Sequence, residues 1–213
     1  MHDIAQMLMM AAGGAAGQAS YIFGGQEGAT IAASATITTA ALDIGAAAGD
    51  RFVVAAVSIR STSTTVTGVT IGGISATLLG SDLGSLSGMY LWGASVPSGT
   101  TAVAVVTLSS PATEYALALC AAYGVITTPA YTSTNATTGA IAGVRNGLIF
   151  CGVAKSPNAY DGAVVTVGAD FDSGSPTYHP ISTAAKLPTA SGTVYPLSNP
   201  TTEAYVAASF APK

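Results

Sequence analysis

The chain has 213 residues, of which 49% are hydrophobic, 7% are aromatic and only 8% are charged, with a formal net charge of −4. High hydrophobicity with so little charge argues against intrinsic disorder. The six Lys and Arg residues are scattered singly, which argues against the clustered basic surface that binds nucleic acids. No apolar run reaches the roughly 18 residues of a membrane-spanning helix, so we expect no membrane insertion. A surface so poor in charge tends to associate, and we therefore expect copies of the chain to assemble.

The opening, "MHDIAQMLMMAAGG", is the one candidate for a helix. Asp3 stands where a secretory signal needs positive charge, and the absence of Lys and Arg argues against a helix lying on a membrane surface. Apolar residues recur at helical spacing behind Asp3, which suits an N-cap. We interpret residues 1–25 as an anchoring segment, helical or extended, together with the Gly/Ala linker that joins it to a β-sandwich domain over 26–213. Its apolar residues either pack on their own domain or, as we favour because Met adapts to irregular grooves, dock into a partner: Ile4, Met7, Leu8, Met9 and Met10.

Residues 26–213 read as alternating strands and turns. The run "RFVVAAVSIR" (51–60) is apolar on both alternating faces, which predicts a buried central strand. "VTGVTIGGISATLLG" (66–80) predicts a hairpin that turns at Gly72-Gly73. "GMYLWGASV" (88–96) precedes a turn at residues 97–99, and "TAVAVVTLSS" (101–110) predicts a strand with Ala104, Val106 and Leu108 on one face.

The second half continues the same pattern. We predict further strands over 114–125, 147–155, 162–171, 192–199 and 203–211, and an exposed loop over 127–143, which is rich in Thr and Ala. Many short strands without a long amphipathic helix are typical of β-sandwiches and barrels. The sequence therefore predicts an all-β fold, an antiparallel, jelly-roll-like β-sandwich.

Several of these stretches resemble a family of tailed-bacteriophage and prophage virion proteins. The resemblance is carried by "AAGDRFVVAAVS", "VTGVTIGGISATLL", "MYLWGASVPSGTTAVAVVTLS" and "ALALCAAYGV", over roughly residues 40–126. It implies a jelly-roll sandwich used in tail, baseplate or head appendages, and it carries over no catalytic residues. On this resemblance we expect a non-enzymatic structural protein of the virion, a homo-oligomer with a trimer favoured, held to other virion proteins by its N-terminal segment.

Signals for catalysis and metal binding are weak. The only histidines, His2 and His179, lack a serine-nucleophile motif beside them, and we expect no metal and no cofactor. The acids Asp161, Asp170 and Asp172 suit either calcium or solvated turns, and turns are favoured because the spacing does not match a calcium loop. A glycosidase carboxylate pair is not readable from sequence, which leaves a polysaccharide-cleaving enzyme as a third and weak hypothesis.

Two further features leave alternatives open. Cys120 and Cys151 each lie in an apolar run and are either buried thiols or, on neighbouring strands, a disulfide. Tyrosines near loops, above all Tyr131 and Tyr178, are candidate contacts for a glycan of the host surface, although tyrosines at strand ends more often serve packing. The alternative function is therefore a module of the virion that binds a host receptor or glycan.

Overall fold

A computed structural model describes residues 17–61, 63–84, 87–134, 140–154, 172–174, 181–194 and 204–213. Several predictions fall outside these residues: the apolar side chains of the anchoring segment, Tyr178, and the strand over 162–171.

The described residues form fourteen β-strands and no helix, which confirms the all-β class. Among them, no helix is long and apolar enough to cross a membrane. The strands are β1 (Ser20–Asp43), β2 (Phe52–Ile59), β3 (Val66–Ile71), β4 (Ile74–Ser75), β5 (Thr77–Leu83), β6 (Gly88–Ser95), β7 (Thr101–Tyr123), β8 (Tyr131–Ser133), β9 (Ile141–Gly143), β10 (Leu148–Ala154), β11 (Asp172–Gly174), β12 (Ile181–Lys186), β13 (Gly192–Val194) and β14 (Ala204–Phe210).

Two large antiparallel sheets pack face to face. The first has seven strands in the order β4-β3-β7-β2-β6-β5, with β1 also paired to β7, and the second has five in the order β11-β12-β10-β14-β8. Strands β13 and β9 form a separate pair. The core between the large sheets, here called the inter-sheet core, joins side chains such as Val54 and Leu91 of the first sheet to Phe150 and Val206 of the second. This packing confirms the predicted β-sandwich.

The first sheet also curls over onto itself. Its two longest strands, β1 and β7, pair along almost their whole length, but their register shifts several times between Thr30 and Ala41. Pro111 lies in the matching part of β7, where extra residues are accommodated, and both features bend a strand pair. A second cluster of buried residues, the inner core, consequently fills the space between the two halves of the same sheet; it joins Val69 and Val106 of one half to Val57 and Leu117 of the other.

This curl explains why β2 is buried at every position. Its odd-numbered residues Val53, Ala55 and Val57 face the inner core, whereas Val54 and Ala56 face the inter-sheet core. Alternate side chains of a strand point to opposite faces, so a strand that lies between two cores is apolar at nearly every position; Ser58 is the one polar residue of β2 and is also buried. The prediction of a buried central strand over 51–60 is confirmed.

The carboxylate of Glu27 stabilises the curl of the first sheet through two hydrogen bonds. Glu27, in the first half of β1, accepts a hydrogen bond from the hydroxyl of Tyr115 and another, of 2.8 Å, from the backbone N–H of Ala40 in the second half of β1. Burial, with Glu27 beside it, raises the pKa of the Tyr115 hydroxyl. Because the hydrogen bonds of Glu27 tie β7 to both halves of β1, they hold the bend in place.

The predicted strands and turns have different outcomes. The hairpin turn is confirmed, since Gly72 and Gly73 both have positive φ, of 59° and 78°. The strands over 88–96, 147–155 and 203–211 are confirmed as β6, β10 and β14, and only residues 192–194 of the strand over 192–199 are described, as β13. The two strands predicted over 101–110 and 114–125 are wrong as separate elements, because β7 runs through Pro111. The loop over 127–143 is wrong in part, since it contains β8 and β9, and residues 20–25, which we placed in the linker, begin β1.

Candidate functional site

A groove of about 370 Å³ opens at one side of the sandwich, where the two large sheets meet. Strand β5, the edge strand of the first sheet, borders it on one side, and β8, an edge strand of the second sheet, borders it on the other. Its size falls within the usual range of ligand-binding clefts, roughly 300–1,000 Å³. The groove is therefore a candidate binding surface of this protein.

Local backbone features shape the groove. The pairing of β5 with β6 shifts between Leu78 and Gly80, so Leu79 lies in a bulge at the groove wall. A side chain at Gly93 would collide with the ring of Phe52, and it is this ring that forms part of the floor. The opposite wall is the loop before β8, which is held to β14 by the bond from the Ala130 N–H to the Ser209 carbonyl, 2.8 Å long.

None of the described residues that line the groove is charged. Apolar side chains from three separate segments contribute Phe52, Leu78, Leu79 and Pro129. Hydroxyl-bearing residues contribute Ser75, Thr77, Ser95, Thr127, Thr128 and Thr132. A surface of this kind offers hydrogen bonds and apolar contact without the desolvation cost of burying a charge, so it suits an uncharged partner.

Several exposed apolar side chains belong to the chain segments that line the groove. Six large apolar side chains of the described residues are exposed: Ile74, Leu78, Leu83, Val103, Ile126 and Tyr131. Leu78 lines the groove, and three of the others are direct chain neighbours of lining residues. Of the six, Leu78 is therefore the exposed apolar side chain that the groove itself presents to a partner, and the others, taken singly, need no explanation.

Tyr131, a predicted glycan contact, lies at the start of β8 with 51% of its surface exposed. Its neighbour Thr132 lines the groove, and because side chains alternate along a strand, the Tyr131 ring faces away from it. The structure therefore places Tyr131 beside the groove rather than inside it. Its intended companion Tyr178, like Ile4 and Met7 to Met10, lies outside the described residues.

A buried arginine holds together two loops at the end of the sandwich beside the groove. Arg51 is only 1% exposed. Its guanidinium donates to the carbonyl oxygens of Val96 at 2.7 Å, Gly45 at 2.8 Å, Ser98 at 2.6 Å and, more weakly, Ile44 at 3.3 Å. These carbonyls belong to the two loops that precede β2 and β7, so one side chain fixes both loops.

Asp50, the neighbour of Arg51, is occupied elsewhere. Its carboxylate accepts the backbone N–H of Gly124 at 2.8 Å, so this acid ties the turn that enters β2 to the residue that follows β7. Burial raises the pKa of the Tyr123 hydroxyl, and the nearby Arg51 guanidinium offsets part of that rise. That hydroxyl donates to the carbonyl of Ala46 at 2.9 Å, which adds to the same loop anchorage. Together these contacts hold the loop before β2 against the end of β7.

Both cysteines are buried thiols and neither forms a disulfide, which decides between the two alternatives. Cys120 belongs to the inter-sheet core, and burial raises the pKa of its thiol. In the part of the chain that the structure describes, no three His, Cys, Asp or Glu side chains come close enough together to hold a metal ion. His2, His179, Asp161 and Asp170 lie outside that part.

Sequence reasoning missed the groove itself. Its lining comes from β2, from the β4–β5 segment, from the end of β6 and from the loop before β8, and no local pattern shows that these segments meet. Comparison with protein-family models, with curated proteins and with solved structures finds no match to this chain.

Proposed function

We propose that this chain is a non-enzymatic structural protein of a bacteriophage-type particle, a homo-oligomeric appendage attached through its N-terminal segment. The observation that carries the proposal is the groove, whose described lining residues carry no charge and include the exposed side chain of Leu78. Surfaces of this composition favour contact with protein over contact with water. The low charge of the whole chain, 8% of residues, supports assembly on the same physical grounds.

The proposed mechanism is assembly. The sandwich supplies the structural body, in which β2 is packed on both faces and Arg51 and Glu27 fasten the loops and the curl. Copies of it associate through uncharged surfaces, with a trimer favoured, and the apolar residues of the anchoring segment attach the assembly to other virion proteins. Several such attachments in one oligomer multiply the strength of each.

The experiment is to locate the protein on intact particles. Antibody labelling of purified particles, together with light scattering of the purified protein, should find a particle-bound oligomer. Replacing both Met7 and Leu8 by Asp should leave a folded protein that is lost from particles, whereas replacing Leu83 by Asp should not. A stable monomer that is absent from particles overturns the proposal.

A second candidate is a glycan-binding role on the host surface, which the exposed ring of Tyr131 favours. An exposed aromatic ring can lie flat against the apolar face of a sugar while its hydroxyl stays in water. Binding of purified polysaccharide from the host envelope should then be lost in Tyr131→Ala and kept in Leu83→Ala. Equal binding by both variants, or none by the wild type, rejects this role.

A further inference from the structure

The groove beside β5 has the features of a docking site for an apolar polypeptide segment. Its floor and walls carry no charge, and Leu78, exposed to 44%, stands at its rim. Strand β5 is the last strand of its sheet, and an edge strand presents backbone donors and acceptors to an incoming segment. What the groove requires is a segment with apolar side chains and almost no charge.

The chain itself contains such a segment close by. Residues 4–10, "IAQMLMM", carry five large apolar side chains and no charge. Methionine side chains adapt to irregular apolar grooves. The apolar part of this groove is irregular, because it combines the ring of Phe52, two leucine side chains and Pro129.

The described chain begins near the groove. A Cβ on Gly17 would lie 3.9 Å from the carbonyl oxygen of Lys213, and the Lys213 N–H donates to the carbonyl of Gly124 at 2.8 Å. From Gly124 to Thr127 on the groove wall is three residues, at most about 11 Å. The six residues between residue 10 and Gly17 make seven Cα–Cα steps, which reach up to about 25 Å when extended, so the segment is long enough to reach the groove wall.

We infer that residues 4–10 of the same chain occupy this groove in the free protein. A tether of this length holds a segment at an effective concentration of about millimolar, far above the micromolar concentration of a second copy. The occupant is therefore the chain's own segment. The inference rests on the proposed function only in giving the segment a second role: the apolar anchor stays covered until a particle takes it.

Pairs of introduced cysteines in the full-length chain test this. In one variant Leu8→Cys is combined with Leu78→Cys, and in the matched control with Leu83→Cys, which lies on the same strand, is more exposed at 56% and does not line the groove. Native Cys120 and Cys151 are both 0% exposed and do not compete. Under mild oxidation the first pair should form its disulfide within one chain at least about tenfold faster than the control pair.

Equal rates for the two pairs, or a disulfide that joins two copies, overturn the inference. Amide hydrogen exchange gives a second readout that needs no oxidation: residues 4–10 should be protected in the wild type and in Leu83→Asp, and should lose protection in Leu78→Asp. Exchange of these residues at free-peptide rates in the wild type also overturns it. Both measurements use the purified protein without particles, so their failure is distinguishable from failure of the structural role.

Discussion

Replacement of Arg51 by Met should destabilise the protein strongly. The guanidinium makes four hydrogen bonds to backbone carbonyls, and bonds from a charged donor contribute about 1.5–3 kcal/mol each. Their loss is partly offset, because burying a charge costs several kcal/mol that Met does not incur. The net effect should lie near 3–5 kcal/mol, in line with the cost of breaking other buried charged networks.

The measurement is equilibrium urea unfolding, followed by the fluorescence of Trp92, the only tryptophan in the chain. Arg60→Met is the matched control, because Arg60 directly follows β2 just as Arg51 directly precedes it. Its side chain is 40% exposed and pairs with Glu114 at 2.9 Å, and exposed pairs contribute only about 0–1 kcal/mol. If the two variants unfold with free energies within about 1 kcal/mol of each other, the role assigned to Arg51 is wrong.

Three further predictions concern packing, alkaline pH and thiol chemistry. Gly147→Ala should lower the free energy of unfolding by about 1–3 kcal/mol or more, because its Cβ would collide with the backbone oxygen of Phe210; Gly49→Ala, with open space around it, should change it by less than about 1 kcal/mol, and similar losses in both would contradict the reasoning. Burial raises the pKa of Tyr115 and Tyr205, so above pH 10 the unfolded chain releases their protons first and stability falls with rising pH, by about 1.4 kcal/mol per pH unit for each tyrosine. The raised pKa of the buried Cys120 thiol makes stability begin to fall above about pH 8.5, where the unfolded chain releases that proton, and the tyrosines steepen the fall beyond pH 10; an unchanged melting temperature at pH 11 would refute this. Both native thiols should resist a thiol reagent in the folded protein and react fully in denaturant, since both are buried, and rapid labelling of the native state would show that the core opens.

The sequence predicted those elements whose signal is local. Three features follow from neighbouring residues alone, and the structure agrees with all of them: the apolar run of β2 up to Val57, the Gly72-Gly73 turn and the alternation of Ala104, Val106 and Leu108. Such signals consist of the spacing of apolar residues and of glycines that permit positive φ, and both can be read from a few neighbouring residues.

The failures share a different cause. Pro111 indicates a break, yet β7 continues through it, because the residues around it form the irregular part of the pairing with β1 where a proline is tolerated. Strand β1 is rich in Thr, Ala and Gly, and most of its positions are exposed or half-buried, so no hydrophobic period revealed its length. The groove and the hydrogen bonds of Arg51 depend on segments far apart in sequence, and distances of that kind cannot be read from composition or spacing.

The pairing of β1 imposes a waiting time on synthesis. Among the described strands, β1 pairs with β7 alone, and its partners lie between 58 residues away, for Asp43 and Thr101, and 103 residues away, for Ser20 and Tyr123. At a translation speed of about 5–20 residues per second, roughly 3–12 s pass before even the nearest partner has been made. During that interval β1 is attached to the ribosome without a strand to pair with. Chaperones that shield unpaired strands should therefore increase the fraction of this protein that reaches its folded state.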